Sequence, residues 1–201
     1  MSAKRFLVVC LSLWVVPEVS LAHSSIQGIG TFYNGLLHPI LVPAHLLLLV
    51  AVGLFLGQQD SKAIQPALGV FAFATIAGLT AAWFFTASQT ETLILVLSAV
   101  IGLVIAVSPK IPLLLSVVIA LLAGFLLGSD SAQEALSDKD KFVTLFGNGV
   151  AIYFLVFYSM VLVDYLNKKA WQRIGIRIVG SWVAASSLLV LALPFSSQGQ
   201  T

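Results

Sequence analysis

Two histidines stand seven residues apart in a stretch otherwise made almost entirely of leucine, valine and glycine: Gly35-Leu-Leu-His-Pro-Ile-Leu-Val-Pro-Ala-His45. Imidazole nitrogen ligates zinc, copper, iron and nickel, and an ionisable group inside an apolar span is costly enough to point to function. On a straight helix His38 and His45 lie on nearly the same face, but roughly 10.5 Å apart along the axis. Metal–nitrogen bonds of about 2 Å do not close that gap. A shared ion therefore requires the helix to start late or to bend. Pro43 can cause either, because it removes a backbone donor, whereas Pro39 suits a first helical turn. Otherwise the two rings are successive stations on a pathway. The structural alternative has His38 at the membrane interface and His45 hydrogen-bonded within a helix bundle.

The other candidates are few. His23 follows Ser20-Leu21-Ala22, a small-residue cleavage pattern. If cleaved there, its α-amine and Nδ1 would form a chelating pair for copper or nickel; otherwise it frays in solvent as termini do. Asn148 lies between Gly147 and Gly149 in an apolar segment, where a buried amide either joins helices or lines a pathway. Glu91 could add a hard oxygen beside the histidines, or simply be solvated. Asp130, Glu134 and Asp138 would share one face if their loop is helical, concentrating cations by their field, or form an ordinary acidic loop. Asp164 and Lys168 have the spacing of a structural helix pair.

The elements that must position these residues are membrane spans. The chain has 201 residues, 59% hydrophobic and 9% charged, with a formal net charge of +2 and a mean hydropathy of +1.04. That composition cannot cover a water-soluble surface, and the small charge argues against nucleic acid as a partner. The fold expected is an all-α integral membrane protein of about six transmembrane helices behind a cleaved signal peptide. Residues 1–22 have the basic start (Lys4, Arg5) and the short apolar core of such a peptide. Residues 23–201 then form one transmembrane domain with spans at about 36–57, 66–87, 91–108, 111–128, 143–165 and 174–195. The only cysteine, Cys10, lies in the leader, which excludes disulfides and thiolate sites from the processed chain.

Lys62, Lys110, Lys168, Lys169, Arg173 and Arg177 fall in alternate short loops, which makes that side cytoplasmic. Both termini of the processed chain, and His38 with them, are then external. Trp83, Trp171 and Trp182 sit where interfacial aromatics anchor spans. Gly53-Leu-Phe-Leu-Gly57 and Gly124-Phe-Leu-Leu-Gly128 each end a span and precede a short polar stretch. With three spans per half, this match raises an inverted repeat, against chance likeness between glycine-rich strings.

The stretch Gly35-LLHPILVPAHLLLLVAVGLFLG-Gln58 resembles the first span of the HupE/UreJ family, and so does the remainder of the chain through Ile174-GIRIVGSWVAASSLLVLA-Leu193. The family motif His-Pro-x-x-Gly-x-Asp-His is met by His38, Pro39 and His45. Val42 occupies the glycine position and Ala44 the aspartate position. Leu145-Phe-Gly-Asn-Gly149 is the nearest counterpart of a later histidine-containing motif and supplies Asn148. The resemblance implies a permease of the bacterial inner membrane. Its cargo would be Ni2+, with Cu2+ or Co2+ as alternatives, met by His38 and His45 of the motif and, on the residue readings above, by His23, Glu91 and Asn148. It also implies possible homo-oligomers or metalloenzyme-maturation partners.

No nucleophile stands beside a base, and there are no paired intramembrane carboxylates, phosphate loop or HExxH motif. An enzyme is therefore not expected, nor is a tightly bound cofactor. Three readings stay open: a divalent-metal permease, a non-transporting accessory protein that has lost the acidic ligand, and an external copper-binding factor built around His23.

Overall fold

The computed structural model describes residues 28–59, 61–84, 90–131 and 136–197. The leader segment, His23 and Glu134 lie outside them. Every regular element among the described residues is helical: α1 (Thr31–Leu41), α2 (Pro43–Gln58), α3 (Ser61–Phe84), α4 (Thr90–Val107), α5 (Leu113–Ser129), α6 (Asp138–Leu166) and α7 (Ala170–Ser197). Lipid supplies no partners for backbone groups, so a helix is the only way for such apolar segments to satisfy them. Helices α3, α4, α6 and α7 are long and apolar enough to cross a membrane, and α1 with α2 makes a fifth if the bent pair is one span. Helix α5 is apolar but only 17 residues long.

The expected first span is not one helix. Val42 is extended (φ −85°, ψ 110°) and Pro43 opens α2 at its first turn. A proline's ring pushes the preceding residue out of the helical region, so Val42-Pro43 ends α1 and restarts the chain in a new direction. The axes of α1 and α2 diverge by 73°. Elsewhere the punctuation is conventional. Ser137 caps α6 by accepting from the Asp140 amide at 3.3 Å, with Asp138 and Asp140 in the positive first turn. Helix α4 stops at Ser108, whose φ of 56° is a left-handed cap, and Pro109 and Pro112 keep the short connection to α5 from becoming helical.

Helix α2 is the centre of the bundle: 11 of its 16 residues are buried, Leu48, Leu49, Val52, Phe55 and Leu56 among them, so it has no polar face. The surrounding helices turn large side chains such as Phe73, Leu114 and Trp182 outward, as a surface facing hydrocarbon requires.

Three helix pairs pack closely: α3 with α5, α4 with α7, and α1–α2 with α6. Glycines set their registers. A Cβ at Gly53 would meet the Val156 carbonyl at 3.2 Å, and one at Gly57 the Met160 carbonyl at 2.8 Å. A Cβ at Gly124 would meet the Phe71 carbonyl at 2.5 Å, and one at Gly128 the Thr75 carbonyl at 2.5 Å. Both pairs are therefore parallel, and the two Gly-xxx-Gly patterns make the same contact. Taking α1–α4 and α5–α7 as halves, the opening transmembrane helix of each half (α2, α5) packs on the following helix of the other (α6, α3). The last helices, α4 and α7, pack antiparallel on each other, Gly102 meeting Gly180. These exchanged pairs are those of an inverted repeat, but the symmetry is partial, since α2 also packs on α4 whereas α5 makes no comparable contact with α7. The ends of α2 and α5 agree with it. Gln59, behind α2, accepts from the Ile111 amide just before α5 at 3.3 Å, while Asp130, behind α5, reaches His45 at the start of α2.

Candidate metal centre

The break at Val42 does to the histidines what a straight helix could not. His38 lies in the last turn of α1 and His45 in the first turn of α2. Their ring centroids are 5.2 Å apart with planes inclined at 41°, about half the axial separation expected of an unbroken helix. Both are buried, with relative exposures of 5% and 0%. The backbone pays little for the turn, since the Val42 amide still donates to the His38 carbonyl and the Leu46 amide to the Val42 carbonyl, each at 3.0 Å.

His45 has a partner that the chain supplies from 85 residues away. Its Nε2 lies 2.9 Å from Asp130 Oδ2, and the Asp130 side chain is 11% exposed. Asp130 is the C-cap of α5, where its amide donates to the Leu126 carbonyl. The neighbouring hydroxyls of Ser129 and Ser131 bond back to the Leu126 and Leu127 carbonyls at 3.1 and 2.8 Å. The end of α5 is thus closed by its own serines, and the aspartate turns inward. An acidic loop with Asp130 facing solvent beside Asp138 is not what forms: the chain is in a turn at Ser131, and Asp138 belongs to the first turn of α6.

Asn148 is 1% exposed in α6. Gly147 beside it allows the backbones of α1 and α6 to approach, a Cβ there meeting the Phe32 carbonyl at 2.5 Å, and a Cβ at Gly149 would meet the Leu79 side chain at 2.9 Å. The α2–α6 register carries Gly53 to Val156 and Ser159, and Gly57 to Met160 and Val163. Extended towards the start of α2, the same offset brings His45 level with the 148–151 turn of α6. Two atoms at this depth have no hydrogen-bond partner among the described residues, His45 Nδ1 and Asn148 Oδ1.

The remaining candidates lie apart. Glu91 is exposed in the first turn of α4. Lys168 does not pair with Asp164, because α6 ends at Leu166 and leaves it beyond the last turn; its ammonium lies over the Tyr165 ring at 5.1 Å. No group of three or more His, Cys, Asp or Glu side chains capable of holding a metal forms among the described residues. Two adjacent imidazoles are nonetheless nitrogen donors suited to a borderline divalent ion, and a sparse set suits an ion that must leave again.

Composition, helical architecture and the histidine-bearing first span together define a multi-pass membrane protein with a buried imidazole pair. The sequence profile of the HupE / UreJ protein family matches residues 11–190, and the chain belongs to that family. No curated protein and no solved structure matches it.

Proposed function

We propose that the protein is a permease for a divalent transition-metal ion, nickel before copper or cobalt, in the bacterial inner membrane. The observation that carries this reading is the pairing of His38 and His45 at 5.2 Å across a break in the first span. Broken helices with ionisable groups at the break are how transporters bind ions within a bilayer. The distribution of lysine and arginine among the loops supports a placement with both termini and the helix break towards the periplasm. His23 would then meet the ion first and His38 and His45 would hold it deeper. Family membership supports cargo of this class and a non-enzymatic role, with hydrogenase or urease maturation as its destination.

The accessory reading is favoured by one observation, Ala44 in place of the motif aspartate. Elemental analysis separates the two. Permease-deficient cells expressing the native chain should accumulate nickel, copper or cobalt, and those expressing His45→Ala at matched levels should fall to background. Equal content in native, variant and empty-vector cells for all three metals would end the permease reading and leave the accessory role.

A further inference from the structure

The first span lacks a carboxylate beside His45, yet His45 has one. We infer that Asp130 supplies, from α5, the carboxylate that Ala44 does not, and that by holding the proton of His45 on Nε2 it presents Nδ1 as the nitrogen that binds the ion. The inference rests on the metal reading of the histidine pair and names the further residue and the ligating atom.

The argument begins with the imidazole. A neutral ring carries one N–H, and a carboxylate only accepts. With Asp130 Oδ2 at 2.9 Å from Nε2, the ring hydrogen sits on Nε2 and points at the carboxylate. Nδ1 is then a bare lone pair. It is buried within a fully enclosed side chain and has no hydrogen-bond partner among the described residues. Buried polar atoms are ordinarily satisfied, and the bare lone pair of a neutral imidazole is the atom with which histidine ligates a metal. A carboxylate on the far nitrogen of a ligating histidine is the recurrent arrangement that fixes the tautomer, orients the ring and raises its basicity.

The position of Asp130 is explained by this role and not by its own helix. A carboxylate at the C-terminus of α5 faces the negative end of that helix dipole, which disfavours it. The same carboxylate lies against the first turn of α2, the positive end of a different helix. Helix α2 and its histidine therefore account for the aspartate. Asn148 adds a second, independent pointer to a ligand. Its Oδ1 is buried, lacks a partner among the described residues, and belongs to the α6 turn level with His45. The His38 and His45 rings are thus brought together from α1 and α2. Asn148 belongs to the α6 turn that the Gly53 and Gly57 register sets at the same depth, and Asp130 stands behind His45 as a positioning residue.

The test uses the purified full-length protein in detergent with Co2+ as the probe. Nitrogen-15 NMR of labelled histidine reads the tautomer of His45 in the metal-free protein, and the visible absorption of bound Co2+ reads affinity and geometry. The native chain should show the Nε2–H tautomer. Asp130→Ala should lose that bias and weaken Co2+ binding 10- to 100-fold, the usual effect of removing a residue that orients a ligating histidine. Asp130→Asn, which keeps shape and an acceptor oxygen, should weaken binding less and gives the same readout if the alanine variant does not fold. An Nδ1–H tautomer in the native protein overturns the inference. So does Co2+ affinity and absorption in the Asp130 variants within twofold of native, because Asp130 is then only a tie between α2 and α5. Failure of cells to accumulate metal while purified protein binds Co2+ as described would remove the transport reading and leave this one standing.

Discussion

Gly102 and Gly180 meet face to face between α4 and α7: a Cβ on Gly102 would lie 2.8 Å from the Gly180 carbonyl, and one on Gly180 would lie 3.0 Å from the Gly102 carbonyl. Backbone atoms cannot step aside as a side-chain tip can. Gly102→Ala should therefore destabilise the bundle by about 1–3 kcal/mol, the range for overpacking a close contact. Gly69, with nothing within 4 Å of its Cβ position, is the control, and Gly69→Ala should be neutral or stabilising. Thermal melts in detergent check both, and equal melting temperatures for the two variants would contradict the close packing.

Pro43 should matter to the histidines more than to the bundle. Pro43→Ala frees Val42 to become helical and relaxes the geometry that holds the rings 5.2 Å apart. The expected outcome is Co2+ affinity at least roughly tenfold weaker, by analogy with lost orientation of ligands, in a chain that still inserts and folds. Absorption titration measures it; unchanged affinity would mean that the break survives without the proline.

Ser98 and Ser187 are both fully buried, and neither hydroxyl has a hydrogen-bond partner among the described residues. Removing an unsatisfied buried hydroxyl costs nothing that was being gained. Ser98→Ala and Ser187→Ala should leave stability unchanged or raise it by up to about 1 kcal/mol. A clear fall in melting temperature for either would show that its hydroxyl does hold a bond.

Lys141 joins α6 to the end of α3, with Nζ donating to the Trp83 carbonyl at 2.9 Å and lying 5.3 Å from that ring's centroid. A cation at a helix C-terminus and over an aromatic face is favourable on both counts. Lys141→Met keeps the stem and removes the charge, and should lower stability by about 1 kcal/mol with no effect on Co2+ binding. A change in the Co2+ spectrum would place Lys141 closer to the ion than the helices put it.

Much of this was readable from residue types. Hydropathy marks six apolar segments, the first of them holding both α1 and α2, because lipid leaves the backbone no other solution, and Pro43 marks the break because its effect on Val42 is local. The two Gly-xxx-Gly strings raise the inverted pairing, since small residues record where helices touch. Asp130 is different. Its spacing from Glu134 and Asp138 suggests a solvated loop, and nothing local to α5 reveals that the chain's topology brings it to a residue 85 positions away. The empty aspartate position at Ala44 is the one clue that an acid must come from elsewhere. The i,i+4 pairing of Asp164 and Lys168 fails for the converse reason, as the helix ends two residues too early.

The exchanged pairing of the halves also bears on how the chain is made. Gly53 waits for Val156, and Gly124 rests on Phe71, so neither half contains the helix that the Gly-xxx-Gly face of its own first helix packs against. A ribosome adding about 5–20 residues per second delivers α2 roughly 5–20 seconds before α6. During that interval Gly53 and Gly57 lack the helix they pack against. Asp130 emerges before α6 does, so the bond to His45 can close before α2 meets α6.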